Sequence, residues 1–187
     1  MNPILDIENQ LTSIIQNGFT AVSGPTLHTV DSFAGTIDLD KQLRTVPGIF
    51  INFSGFGEPV SQTQFKTKWT LYVITHNAGG EEARREGDNR NIGAYDAIHI
   101  LMRTLHQNKL DDYGRMKIVS GQNMFSEAFA RQNVAVYALE TTLNVDWDLN
   151  PDEAGLNDFT TFAADWDLAT PDSQIDAQDK ITLETAS

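Results

Sequence analysis

The side chains most able to do chemistry in this 187-residue sequence are its histidines and its closely spaced aspartates. The histidines are His28, His76, His99 and His106. None has the His-x-His or His-x-x-x-His spacing of a metal motif. His99 and His106 are seven residues apart on a predicted helix, but two ligands do not close a metal site. The sequence therefore favours ordinary structural histidines, and we expect no metal and no cofactor.

Two pairs of aspartates, Asp146/Asp148 and Asp165/Asp167, each flank a tryptophan. Acid–base catalysis by two carboxyl groups needs one of them to be desolvated while the other stays ionised. Asp146 and Asp148 would instead share one face of a predicted strand and repel each other. The sequence also lacks a Gly-x-Ser-x-Gly elbow and a phosphate-cradling glycine loop. We therefore assign no catalytic residue and expect a protein that is not an enzyme, with an acidic hydrolase built on either pair as an alternative.

Composition and charge exclude several other classes of protein. The absence of cysteine removes disulfides, thiolate zinc sites and cysteine nucleophiles. The formal net charge is −13, and residues 151–187 hold nine acidic residues against one base, Lys180. Because nucleic-acid binding depends largely on Lys and Arg neutralising phosphates, direct DNA or RNA binding is not expected. No apolar run approaches the roughly 20 residues that span a bilayer, and the N-terminus lacks a signal-peptide pattern, so we expect an intracellular protein without membrane contact.

Hydrophobic periodicity predicts the elements that must position any site. They follow the order helix, strand, strand, helix, strand, strand, over residues 4–16, 48–56, 65–76, 92–107, 115–119 and 133–147. Asn2 is the predicted N-cap of the first helix and Gly18 its stop, and the first two strands form an antiparallel pair. The predicted fold class is α+β, an antiparallel or mixed sheet of about four strands with two main helices packed on one face. This body covers residues 1–150, and an extended acidic C-terminal arm covers residues 151–187.

Two elements have clear apolar faces. The stripe of the second helix consists of Ile92, Tyr95, Ile98, Leu101, Met102 and Leu105. One parity of the final strand is apolar, with Ala135, Tyr137, Leu139, Leu143, Val145 and Trp147. Thr141 interrupts that parity. Both faces are predicted to point into the core.

The segment 77–91 is the sharpest change of composition within the body. It contains no apolar residue larger than alanine, which is typical of a mobile loop. The same segment carries Arg84, Arg85 and Arg90 among four acidic residues. The alternative to a solvated loop is a segment that orders against a neighbouring subunit through charge pairs.

The C-terminal arm carries Phe159, Phe162 and Trp166 among its acids. An unattached tail gains nothing from large aromatic side chains, whereas aromatics buried in a groove of a partner stabilise an interface. Trp147 lies in a similar Asp-Trp-Asp sequence at the end of the last strand. We predict that these four aromatics and the three arginines of the segment 77–91 contact the protein's own body or an adjacent subunit.

Several motifs occur together in one order along the chain. They are an Ile/Leu-rich opening helix, the strands Phe50-Ile-Asn-Phe53 and Trp69-Thr-Leu-Tyr-Val-Ile74, an Arg-Arg-Glu-Gly loop, the helix Ile92-Gly-Ala-Tyr-Asp96, and the ending Ala164-Asp-Trp-Asp-Leu-Ala-Thr-Pro-Asp-Ser-Gln-Ile175. This layout resembles a family of tail proteins encoded in the tail-gene clusters of Mu-like phages and prophages. The likeness covers nearly the whole chain.

The resemblance implies a small α+β protein similar to the tail terminators of long-tailed phages, with no catalytic residue. Those proteins assemble as a ring, usually of six subunits, on the last ring of tail-tube subunits, where they stop polymerisation and present a surface to the head–neck proteins. The partners it implies are copies of the same chain, the tail tube protein, head–neck connector proteins and, as a further candidate, the tail sheath. The implied location is the head-proximal end of the virion tail, with assembly in the host cytoplasm. A head–tail connector, or neck protein, is the alternative within the same class.

Overall fold

The structure is a computed structural model that describes residues 2–22, 24, 27–33, 45–124 and 126–147, and the backbone of residues 161–166 and 177–182. The chain forms two compact units, residues 1–147 and residues 148–187. In the second unit, β6 (Thr161–Trp166) pairs antiparallel with β7 (Ala177–Thr182).

Five strands and four helices make up the described part of the first unit. The strands are β1 (Thr29–Ser32), β2 (Gly48–Pro59), β3 (Gln64–His76), β4 (Lys117–Asn123) and β5 (Val134–Asp146). The helices are α1 (Pro3–Thr20), α2 (Glu81–Glu86), α3 (Ala94–Leu105) and α4 (Glu127–Arg131). The sheet has the order β1-β2-β3-β5-β4, in which β1 is parallel to β2 and the other pairs are antiparallel. The predicted α+β class is confirmed, with a mixed sheet of five described strands where about four were expected. None of the described helices is long and apolar enough to cross a membrane.

Helix α1 lays one apolar face on the sheet. Its buried residues recur at every fourth position, as Ile7, Leu11, Ile15 and Phe19. The Asn2 side chain accepts hydrogen bonds from the backbone N–H groups of Ile4 and Leu5, at 3.1 and 3.4 Å, which confirms the predicted N-cap.

Gly18 does not end α1, so the predicted stop is wrong. The helix continues to Thr20, and α3 passes close to it at this point. A Cβ atom on Gly18 would lie 2.5 Å from Thr104 Oγ1. The glycine therefore permits the close approach of two helices, and its role is packing rather than termination.

Strands β3 and β5 form the centre of the sheet, and two buried threonines satisfy polar groups between them. Thr67 Oγ1 donates to the Leu143 carbonyl at 2.9 Å and accepts a hydrogen bond from Trp69 Nε1 at 3.1 Å. Thr141 Oγ1 donates to the Trp69 carbonyl at 3.4 Å. Thr141, the residue that interrupts the apolar parity of the final strand, is thus buried and hydrogen-bonded rather than exposed.

The opposite face of the sheet carries a smaller apolar cluster near the start of β5. It consists of Val46, Phe50, Ile74, Val134 and Val136, with Phe33, Tyr72 and Phe129 packed against it. Val73 belongs to the main core and Ile74 to this cluster, since consecutive residues of a strand point to opposite faces. Helices α1 and α3 pack on the main core, as predicted for the two main helices, while α4 contributes its phenylalanine to the smaller cluster.

Candidate partner interface

The segment 77–91 contains helix α2 where the sequence predicted a loop. Asp88 stabilises the turn that follows α2. The Asp88 carboxylate accepts hydrogen bonds from the backbone N–H groups of Arg90 and Asn91 at 2.7 and 2.8 Å and from Asn77 Nδ2 at 2.8 Å. The hydrogen bonds from the Arg90 backbone, the Asn77 amide and the Asn91 backbone, in that order, lower the pKa of Asp88 to about 2. The polar residues of the segment therefore hold it in place without an apolar anchor.

Arg84 is buried in the chain's own fold. It is 9% exposed, and its Nη1 donates to the Ala130 carbonyl at 3.2 Å. Its own carbonyl accepts a hydrogen bond from Thr75 Oγ1 at 3.0 Å. The residue thus ties α2 to β3 on one side and to α4 on the other.

Arg85 lies against two tyrosines. Its guanidinium carbon is 5.9 Å from the centre of the Tyr95 ring, and Tyr95 meets Tyr137 edge-on with 6.0 Å between ring centres. Arg85 Nη1 approaches Glu81 Oε1 only to 3.9 Å, and Arg85 Nε is buried with no hydrogen-bond partner among the described residues. Burial and, after it, the hydrogen bond to Tyr95 raise the pKa of Tyr137 to about 12, so this phenol is neutral at physiological pH.

Both arginines line one pocket of about 250 Å³ between α2, α4 and the start of β5. Met124, Phe129, Val136 and Tyr137 are among the other residues that line this pocket. We call this hollow the arginine pocket. Its cationic groups are set in mainly apolar walls, so it suits a ligand that joins a negative charge to an apolar group.

Aromatic side chains collect at the other end of β5. Phe56 lies 5.3 Å from Phe53, 6.3 Å from Phe65 and 5.2 Å from Trp147, measured between ring centres and with edge-to-face geometry. Phe53 in turn lies 5.0 Å from the buried ring of Trp69. We call Phe53, Phe56, Phe65 and Trp147 the aromatic cluster.

The aromatic cluster is anchored and yet open to solvent. The Trp147 backbone N–H donates to the Thr63 carbonyl at 2.7 Å, which closes the end of the sheet. Phe56 is 49% exposed and the neighbouring Val60 is 50% exposed. Exposed apolar groups on a rigid base are typical of a contact surface for another protein.

The seven residues predicted to form an interface fall into separate places. Arg84 and Arg85 share the arginine pocket, Arg90 is exposed at the turn after α2, and Trp147 belongs to the aromatic cluster. Phe162 and Trp166 lie in β6, where their register partners are Ile181 and Ala177. Phe159 lies outside the described residues. Whether these residues contact a partner stays a prediction.

The aspartates of the hydrolase alternative lie partly outside the described chain. Asp146 is exposed at the end of β5, where Gln64 Nε2 donates to its Oδ1 at 3.2 Å. Asp165 lies in β6, while Asp148 and Asp167 lie outside the described residues.

Residues that were not predicted to form an interface complete both sites. Tyr95, 47% exposed, lies beside the arginine pocket, and Met124, 38% exposed, lines it. Phe56 is the most exposed ring of the aromatic cluster. Tyr95 was predicted to face the core, but the helix buries the neighbouring Ala94 and exposes Tyr95.

The fold and its sites define a small α+β protein with a mixed sheet and two unlike surface clusters at the two ends of its longest strands. The family model described as "Bacteriophage Mu, Gp37" matches residues 3–150, and the chain belongs to this family. It is similar to the Mu-like prophage FluMu protein gp37 of Haemophilus influenzae (strain ATCC 51907 / DSM 11121 / KW20 / Rd), with 22% identity over 168 residues that cover 88% of this chain and 83% of the relative. Among solved structures, it is similar to a chain of the "Virion of native gene transfer agent (GTA) particle", with 12% identity, a TM-score of 0.43, and coverage of 73% of this chain and 94% of that one.

Proposed function

We propose that the protein is a virion structural component of a Mu-like phage or prophage, and that it serves as the tail terminator, or tail completion, subunit. In this role a ring of subunits caps the tail tube and joins it to the head–neck. The observation that supports this most is membership of the phage Mu Gp37 family across nearly the whole first unit, residues 3–150. The motif order that resembles tail proteins of Mu-like phages agrees with it.

Capping of this kind is a binding function. One surface of the ring is complementary to the exposed face of the tube, and the other surface offers the next tube subunit no complementary contact. Growth then stops because addition of a further tube ring has no favourable site. No step in this mechanism breaks or forms a covalent bond.

The geometry of the body suits a subunit of a closed ring. A ring needs two different surfaces on each subunit, so that each contact is head to tail and the last contact meets the first. The arginine pocket lies at the first four residues of β5, and Trp147 of the aromatic cluster follows its last residue. From Tyr137 to Trp147 is ten residues of extended chain, roughly 33 Å at about 3.3 Å per residue. Two chemically unlike surfaces are thus held apart by a rigid sheet.

The test is arrest of tube growth. Purified tail tube protein of the same phage is polymerised alone and with increasing amounts of this protein, and tube lengths are measured by electron microscopy. We expect tubes to shorten and to carry a terminal ring, and native mass measurement should give one ring per arrested end. Unchanged tube lengths, with the protein monomeric in the presence of tube protein, would overturn the proposal. Unchanged tube lengths with binding to tail-less heads would assign it instead to the head–tail connectors.

A further inference from the structure

The described lining of the arginine pocket carries two positive charges, on Arg84 and Arg85, and one negative charge, on Glu81. One guanidinium nitrogen of Arg84, Nη1, donates a hydrogen bond to the Ala130 carbonyl. Arg85 Nε is buried without a hydrogen-bond partner among the described residues. Glu81 is the acidic residue among the described pocket lining, and it is 74% exposed and 3.9 Å from Arg85. The Arg85 side chain as a whole is 37% exposed, so an incoming carboxylate would add a charge-assisted hydrogen bond to its guanidinium group.

The walls of the pocket specify what accompanies that carboxylate. Met124, Phe129 and Val136 give the hollow an apolar side, and methionine adapts its shape to an aromatic ring. At about 250 Å³ the space is suited to one large side chain and its neighbouring charge. The fitting ligand is therefore an acidic peptide in which a carboxylate stands next to an aromatic residue.

The chain itself contains such a peptide. Residues 151–187 hold nine acidic residues against one base, and Asp165-Trp166-Asp167 places a tryptophan between two carboxylates. We propose that the arginine pocket of one copy receives the segment 158–167 of a second copy, with Trp166 against the apolar wall and an adjacent aspartate on the arginines. This rests on the proposed ring function, because it identifies the contact between neighbouring subunits.

The position at which the chain leaves the sheet is compatible with a contact to a second copy. Each chain passes out of its first unit at Trp147, at the end of β5 opposite to its own arginine pocket. In a head-to-tail arrangement, the Trp147 end of one subunit lies beside the pocket end of the next. Repeated around a ring, every pocket is filled by the preceding subunit and none is left open.

The absence of cysteine from the sequence makes a clean cross-linking test possible. Full-length Glu81→Cys, at the exposed rim of the pocket, is mixed with isotope-labelled full-length Ala169→Cys under mild oxidation, with and without tail tube protein. Mass spectrometry then separates mixed dimers from dimers of either variant alone. We expect the mixed disulfide to dominate. A variant that carries both cysteines in one polypeptide should form linear oligomers or closed rings of disulfide-linked subunits.

Matched variants distinguish the pocket from general charge attraction. Asp165→Asn/Asp167→Asn in the labelled chain should abolish the mixed disulfide, whereas Asp172→Asn/Asp176→Asn, with the same charge change, should leave it intact. Arg85→Met in the partner should also abolish it, with Arg103→Met, a substitution at an exposed arginine of α3, as its control. Equal losses for both aspartate pairs would overturn the proposal.

The outcomes separate this inference from the proposed function. A disulfide formed only within one chain of the double-cysteine variant would place the segment on its own body and overturn the inference. Rings that cap tubes without any mixed disulfide would overturn it too and leave the capping function standing. Tubes that grow unhindered while the mixed disulfide forms would instead overturn the capping function and leave this contact standing.

Discussion

The hydrogen bonds around Thr67 predict a large loss of stability from a change that alters little volume. Thr67→Val keeps the shape of the side chain but removes the acceptor of Trp69 Nε1 and the donor to the Leu143 carbonyl. Thr67 is fully buried and Trp69 is 1% exposed, so water does not replace the lost bonds. Leaving a buried donor unsatisfied costs about 1–3 kcal/mol, and with the second lost bond we expect about 2–3 kcal/mol. For a chain of this size that lowers Tm by roughly 5–10 °C.

Urea unfolding followed by far-UV circular dichroism measures this loss, with an unchanged m-value expected. Thr142→Val is the matched control, because Thr142 is half-buried on the same strand pair and its loss should cost within about 0.5 kcal/mol. In a Trp69→Phe background the indole donor is absent, so Thr67→Val should cost about 1 kcal/mol less than in the wild-type chain. Equal costs for the two threonine variants, or an unchanged cost in the phenylalanine background, would refute the reasoning.

Three other substitutions test the packing, the turn and the surface. Gly18→Ala would ordinarily stabilise a helix interior by about 1 kcal/mol, but its new Cβ meets Thr104, so we expect urea unfolding to show a loss of about 1–3 kcal/mol that Thr104→Ala reverses. Because the folded-state pKa of Asp88 is lowered to about 2, its contribution to stability is present above its ordinary pKa and is lost as pH falls toward 2. Stability should therefore fall more steeply from pH 4 to pH 2 in the wild type than in Asp88→Asn, and equal slopes would contradict the assignment. Phe56→Ser should cost about 1–2 kcal/mol in folding and prevent tube capping under conditions where the variant is still folded, whereas Val119→Ser, at a residue 56% exposed, should affect neither.

Elements whose signals are local were predictable from the sequence. Asn2 caps α1 because its amide oxygen reaches backbone donors two and three residues ahead. Strand β3 alternates buried and more exposed residues over its first ten residues, whereas the first four residues of β2 are all buried, and the two strands pair antiparallel as predicted. β1 was missed because it has four residues and a parallel partner, so its pairing depends on distant residues rather than on its own pattern.

Helix α2 and the exact face of α3 depended on tertiary contacts. The position of α2 is determined by Thr75 and Ala130, which bond Arg84 from outside the segment, and composition alone does not contain those contacts. In α3 the buried side includes Ala94 and Ala97, while Tyr95 and Met102 of the predicted stripe are 47% and 41% exposed. The small residues Ala94 and Ala97 share the buried side of α3 with the larger Ile100, Leu101 and Leu105, and this rotation of the face leaves Tyr95 and Met102 at the surface.

The arginine pocket gives a physical reason why the proposed ring contact is head to tail. In a two-fold dimer formed through this surface, the same patch meets itself, so the arginines of two subunits would face each other with apolar walls around them. Like charges brought together in a partly desolvated interface oppose association. A contact between the arginine pocket and the acidic segment of the next subunit pairs opposite charges instead, and it leaves each subunit with one donor surface and one acceptor surface. Such contacts do not stop at two copies, and they end only when the chain of subunits closes or meets the tube.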